Sequence, residues 1–214
     1  MAIHTPGPTG KFSGKIGNIV LSSWRGLSIG RAAPNKSRKK TTLIQLENRL
    51  RFSTGAVFSA KLSEAIAIGY PSNKGIKTAM NVAQQHNIKQ AITGIYPNLT
   101  INHSQIHLSS GSLAPVYRAQ LIVTAEPGNV KITWENPVNF KLGVEEQDTI
   151  QVCLYNESTD CVTFYKDKAF RVDREMTFFT DEPAKGIFYG WMFLLSADGK
   201  RASATQYLGK HEIQ

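Results

Sequence analysis

The first place where this sequence could do chemistry is Gly7-Pro8-Thr9-Gly10-Lys11-Phe12-Ser13-Gly14-Lys15, which has the composition of a loop that cradles phosphate with backbone N–H groups. Such a loop needs a glycine at its head and a Ser or Thr directly after its Gly-Lys pair to reach Mg²⁺. Thr9 and Ile16 occupy those two positions, and a strand-like run follows where a helix is required. Nucleotide binding of that kind is not expected, and the glycines read better as a hairpin that packs against another chain.

A second candidate is electrostatic. Lys36, Arg38, Lys39 and Lys40 cluster in a connector, backed by Lys11, Lys15, Arg25 and Arg31, and no acidic residue precedes Glu47. Residues 1–110 hold 14 Lys and Arg against 2 acids, whereas residues 111–214 hold 11 against 14, for a net charge of +9. A basic half of this kind faces phosphate, an acidic partner or the acidic half of a neighbouring copy. Nucleic-acid binding through Lys36, Arg38, Lys39 and Lys40, with Trp24 and Phe12 stacking on bases, is one expectation; no familiar nucleic-acid-binding module accompanies it, and a solvated or protein-pairing surface is the other.

The remaining groups point away from catalysis. His103 and His107 would meet on a helix but stand about 13 Å apart on a strand, the reading favoured by the alternation around them, so no metal site is expected. His4, His86 and His211 are isolated, and no nucleophile-elbow or paired-histidine zinc motif is present. Cys153 and Cys161 flank a loop near Glu157 and could face each other across a hairpin; reduced thiols are expected inside a cell. The acidic runs at Glu145-Glu146 with Asp148 and at Asp181-Glu182 lack the alternating oxygen ligands of a calcium loop, so neither cofactor nor metal is expected.

The elements that must position these groups follow from periodicity. Residues 1–10 read as an extended Pro/Gly arm; Ile16 to Leu21 and Leu27 to Arg31 read as strands flanking Ser23-Trp24-Arg25-Gly26, a hairpin with Trp24 near its tip. A helix is predicted to begin after Thr41-Thr42, to soften at Ser53-Thr54-Gly55 and to stop at Gly69-Tyr70-Pro71. A second runs from about Ile76 to Ile92. Alternation then predicts strand character from Leu99 to Leu108, and seven strands between Tyr117 and Leu208, with Trp134 in their core and Asp198-Gly199 turning the last hairpin. Seven short strands at this spacing predict a β-sandwich of fibronectin type III or immunoglobulin kind. The expected fold class is α+β, mostly β, with a basic hairpin-and-helix module at 1–110 and the sandwich at 111–214.

Several of these residues carry a resemblance. Gly10, Ser13-Gly14-Lys15, Gly17-Asn18, Trp24-Arg25-Gly26, Arg31 with Pro34, Gln45 with Arg49 and Phe52, Ala91-Ile92 with Gly94, and Ser109 with Gly111-Ser112-Leu113 together resemble an uncharacterised bacterial family, the domain-of-unknown-function family six-two-six-six. Shorter proteins of phage and prophage type are similar in their opening residues. The family has no assigned activity, so the resemblance implies a layout and no reaction.

The expected function is non-enzymatic: self-assembly into a virion-like particle, a phage-tail-like machine or a filament. Gly10, Phe12, Ser13, Gly14, Lys15, Gly17, Asn18, Trp24, Arg25, Gly26 and Arg31 would contact other copies or other structural subunits. A nucleic-acid-binding protein is the runner-up, and a surface adhesin or carbohydrate-binding module is a third reading. The opening residues lack a charged-then-apolar leader and no long apolar run occurs, so synthesis in the cytoplasm without a cleavable signal, no membrane partner, and later incorporation into a particle or release are expected.

Overall fold

The structure, a computed structural model, describes residues 2–4, 13–24, 26–35, 40–71, 77–124, 128–136, 145–179 and 186–213. It divides into two compact units, Met1–Thr42 and Leu43–Gln214.

The first unit is a four-stranded antiparallel sheet of β1 (Ala2–His4), β2 (Gly14–Ile16), β3 (Ile19–Trp24) and β4 (Leu27–Ala32), in the order β1-β4-β3-β2. The hairpin expected between β3 and β4 is present, with Trp24 opposite Leu27. The single strand expected over Ile16 to Leu21 is not: Gly17-Asn18 folds it into a second hairpin, pairing Ile16 with Ile19. The reason is local, because Gly17 has a φ of 56°, and a positive-φ glycine opening a two-residue loop matches the twist of the flanking strands.

The second unit begins with three helices, α1 (Leu43–Lys61), α2 (Ser63–Gly69) and α3 (Ala79–Gln90), with the Thr78 hydroxyl accepting from Asn81 N–H to cap α3. Gly55 does not interrupt α1. A Cβ there would press to 2.5 Å from Ile88, so the glycine lets α3 close against α1. The second helix stops at Gln90, short of the expected Ile92, because Ile92 starts the hairpin of β5 (Ile92–Ile95) and β6 (Asn98–Ile101). The strand expected through Leu108 ends with β6: His103–Gln105 is a 3₁₀ turn, and Asn102 caps it by accepting from Ser104 N–H.

Seven strands follow: β7 (Tyr117–Val123), β8 (Asn129–Glu135), β9 (Thr149–Asn156), β10 (Cys161–Phe170), β11 (Glu175–Phe179), β12 (Gly186–Leu195) and β13 (Gln206–Ile213). They form one sheet ordered β10-β9-β12-β13 and another ordered β11-β8-β7. Naming the seven A, B, C, C′, E, F and G in chain order, the sheets read C′-C-F-G and E-B-A, which is fibronectin type III connectivity. The inner faces share one core, with Ile132 and Trp134 of β8, Ile150 and Val152 of β9, Met176 of β11 and Met192 and Leu194 of β12 all buried.

The outer face of the four-stranded sheet is covered as well. Cys153, Tyr155, Tyr189, Trp191 and Phe193 project from it into a second core shared with Phe58, Leu62, Ala65 and Ile66 of α1, α2 and the residue between them, and with Ala83 of α3. The unit is therefore three layers, helices on sheet on sheet. The boundary expected near residue 110 falls inside it, because the helices bury their apolar faces on the sandwich instead of forming a core of their own.

Candidate functional site

Ladder pairing assigns every described residue of β2, β3 and β4 to one of two faces, since directly opposed residues point the same way and neighbours along a strand point oppositely. One face holds Gly14, Ile16, Ile19, Leu21, Ser23, Ser28, Gly30 and Ala32. It carries no charge. The other holds Lys15, Val20, Ser22, Trp24, Leu27, Ile29 and Arg31, so both charged residues of these strands and the tryptophan share a side. Lys15 and Arg31 flank Val20 in a single cross-strand row.

Neither face is packed in the way a stable sheet requires. Among residues 13–24, 26–35 and 40–42 only Ser28 is buried; Ile16 is 64% exposed, Ile19 53% and Trp24 49%. The two buried apolar cores contain residues of the second unit alone. The unit also concentrates the charge of the chain: Met1–Thr42 holds 8 Lys and Arg and no acid, whereas Leu43–Gln214 holds 17 against 16.

Of the residues expected to act in assembly, the structure brings Gly14, Lys15, Trp24 and Arg31 into this sheet, places Gly17, Asn18 and Gly26 in its two turns, and leaves Ser13 exposed just before β2. Gly10, Phe12 and Arg25, like Lys36, Arg38 and Lys39 of the basic connector, lie outside the described residues; Lys40 is exposed. Sequence reasoning missed Ile16 and Ile19. They carry the uncharged face, and the signal was available once the Gly17-Asn18 turn is placed, because Gly14 and Ile16 then alternate with Lys15.

The histidines do not form a metal centre among the described residues, where no group of three ligating side chains is present. His103 and His107 separate. His103 stacks on Tyr189 with ring centroids 3.7 Å apart, and His107 stacks on His86 at 3.7 Å. Asn87 fixes the backbone of His107 in both directions, accepting from its N–H at 2.8 Å and donating to its carbonyl at 3.2 Å. Burial holds all three imidazoles below their ordinary 6.5, and His86 lowers His107 further by repulsion. A depressed pKa means that the unfolded chain binds more protons below about pH 6.5, so stability falls as the solution is acidified. The thermal midpoint is expected to drop between about pH 7.5 and 5.5, and a flat profile across that window would contradict this account of the histidines.

The polar groups beside His103 are spent on structure. Tyr155 OH donates to Asp160 at 2.8 Å, Lys61 pairs with the same carboxylate, and Tyr189 OH donates to Glu157 at 3.1 Å. Lys61 first and Tyr155 second hold Asp160 below the usual carboxylate range. A groove of about 710 Å³ between α1 and α3 is lined by Phe52, Ile88, three carboxamides, Arg51 and Lys89. Its arginine is already committed to Glu47 and to the carbonyls of Ile92 and Gly94. Cys153 and Cys161 are both free thiols, Cys153 buried and Cys161 exposed rather than in the core; Cys153 stands opposite Phe164 and Cys161 opposite Asn156, so the two do not face each other across the hairpin.

No helix among the described residues is long and apolar enough to cross a membrane. No curated protein matches the chain. A sequence profile matches residues 11–209, nearly the whole length, and the resemblance read from the opening motifs holds: the chain belongs to the family of unknown function DUF6266.

Proposed function

We propose that this is a non-enzymatic structural protein that associates with other copies of itself through the uncharged face of its N-terminal sheet, as a subunit of a virion-like particle, a phage-tail-like machine or a filament. The observation that carries the proposal is that β2, β3 and β4 bury no apolar side chain while exposing Ile16 and Ile19 on one side. Small sheets gain stability when a hydrophobic face is covered. A second copy is the cover that fits, because a two-fold contact sets the same face against itself and β2, β3 and β4 put no Lys, Arg or acid on it. The opposite face could not serve in that way, since Lys15 and Arg31 would meet their own copies.

The test is sedimentation velocity of the full chain beside Ile19→Asp. The wild type is expected to associate with rising concentration. The variant, whose site is exposed in the single chain, is expected to keep its circular dichroism and melting temperature while association weakens at least tenfold, because an unpaired carboxylate would enter the contact. A wild type that stays monomeric at high concentration, or an Ile19→Asp chain that assembles as well as wild type, would sink the proposal.

A further inference from the structure

We infer that the opposite face of the same sheet, carrying Lys15, Arg31 and Trp24, is a binding surface for single-stranded nucleic acid. The pleat sorts the charges. Lys15 and Arg31 are exposed, lie on either side of Val20 in one row, and are the only charged residues of β2, β3 and β4. Adjacent strands are about 4.8 Å apart, so the two cations stand about 10 Å from one another, within reach of one backbone.

Trp24 lies four residues beyond Val20 on β3, about 13 Å along the same face, and is half exposed. Between the cations and the indole the face is occupied by Val20, Ser22, Ile29 and Leu27. None of these is anionic. A strand whose phosphates sit on the cationic row would lay its bases along an apolar surface that ends in an aromatic platform, the combination that binds single strands without reading sequence.

The polyanion follows from charge. Met1–Thr42 holds 8 Lys and Arg and no acidic residue, so no carboxylate within this unit competes for its cations. A base-bearing polyanion follows from Trp24, because phosphate or an acidic peptide gives an exposed indole nothing to stack on. A single strand is required, since duplex bases present their edges and not their faces to a protein surface. This surface does not depend on the assembly contact, which uses the other side of the sheet, and each can fail alone.

Oligothymidylate is the probe, titrated into the full-length protein at low salt with tryptophan fluorescence and probe anisotropy read together. Of the 3 tryptophans, Trp134 and Trp191 are buried at 3% and 0% exposure, so quenching on binding reports Trp24. Affinity is expected to fall linearly with log salt by roughly 0.7 per phosphate contact, and the exposed pair Lys15→Gln with Arg31→Gln to flatten that slope by about 1.4. Trp24→Leu is expected to weaken binding about tenfold and abolish the quenching. Absence of binding at low salt, binding without quenching, an unchanged slope in the double variant, equal affinity for a duplex of the same length, or equal competition by polyglutamate would each overturn the inference. The wild-type quenching and slope decide it even if a variant misfolds.

Discussion

Asp148→Ala is expected to cost about 3–5 kcal/mol of stability, the cost of stranding one member of a buried ion pair. Asp148 and Arg171 are both fully buried, and the guanidinium Nε donates to Asp148 Oδ2 at 3.1 Å. Burial pulls the arginine below its ordinary pKa while the aspartate pushes it back up. The residue also ties together segments distant in sequence: its Nη2 donates to the Ala114 carbonyl at 2.7 Å, and its own carbonyl accepts from the Trp134 indole at 3.0 Å and from the Asn136 amide at 2.9 Å. Removing the carboxylate leaves a cation in the wall of the sandwich with nothing to balance it. In a chain of this size the melting temperature should fall by roughly 10 °C. Replacing both residues, as Asp148→Leu with Arg171→Met, should cost less than either change alone, because no charge is then left unpaired. A melt of Asp148→Ala indistinguishable from wild type would show that the pair does not hold these segments.

Trp191→Ala should cost about 3–5 kcal/mol by a different route, a cavity at the seam between helices and sheet. Trp191 is fully buried on the outer face of β12, its ring edge-on to Phe58 at 6.5 Å and tilted to Tyr207 at 6.2 Å. Its indole N–H donates to the His103 carbonyl at 2.9 Å, so truncation also orphans an acceptor. The inner core of the sandwich contains no atom of this side chain. Amide exchange is therefore expected to accelerate in residues 43–90 ahead of the sandwich strands, and a uniform loss of protection would count against separate roles for the two cores.

Most of the sandwich was legible in the sequence. Seven strands were expected between Tyr117 and Leu208 and seven are present, because alternation and turn residues such as Asn156 to Asp160 and Asp198-Gly199 mark their limits, although the last, β13, runs on to Ile213. What escaped was the cover. β12 reads Phe188-Tyr189-Gly190-Trp191-Met192-Phe193-Leu194-Leu195 without a polar break, and such a run signals burial on both faces. A layer was therefore missing from a two-sheet sandwich, and the helices, with Ile106 and Leu108 after β6, supply it. The strand expected through His103 and His107 failed because alternation over a few residues cannot distinguish a strand from a turn pinned by Asn102 and Asn87.

The candidate surface was half legible. Lys15, Trp24, Gly26 and Arg31 were singled out by type, but which of them share a side depends on where the chain reverses. The Gly17-Asn18 turn sets the register of β2 against β3, and a shift of one residue would exchange the faces of that strand. Residue type therefore pointed to the sheet, while the separation of an uncharged face from a cationic one needed the ladder.

The order of layers also sets an order of events during synthesis. Phe58, Leu62 and Ile66 leave the ribosome well before Tyr155, Tyr189 and Trp191, the side chains they bury against. At translation rates of roughly 5–20 residues per second, the apolar helices wait on the order of 10 s for their sheet. During that interval they are a nascent-chain surface that a chaperone, or the neighbouring nascent chain, can occupy first.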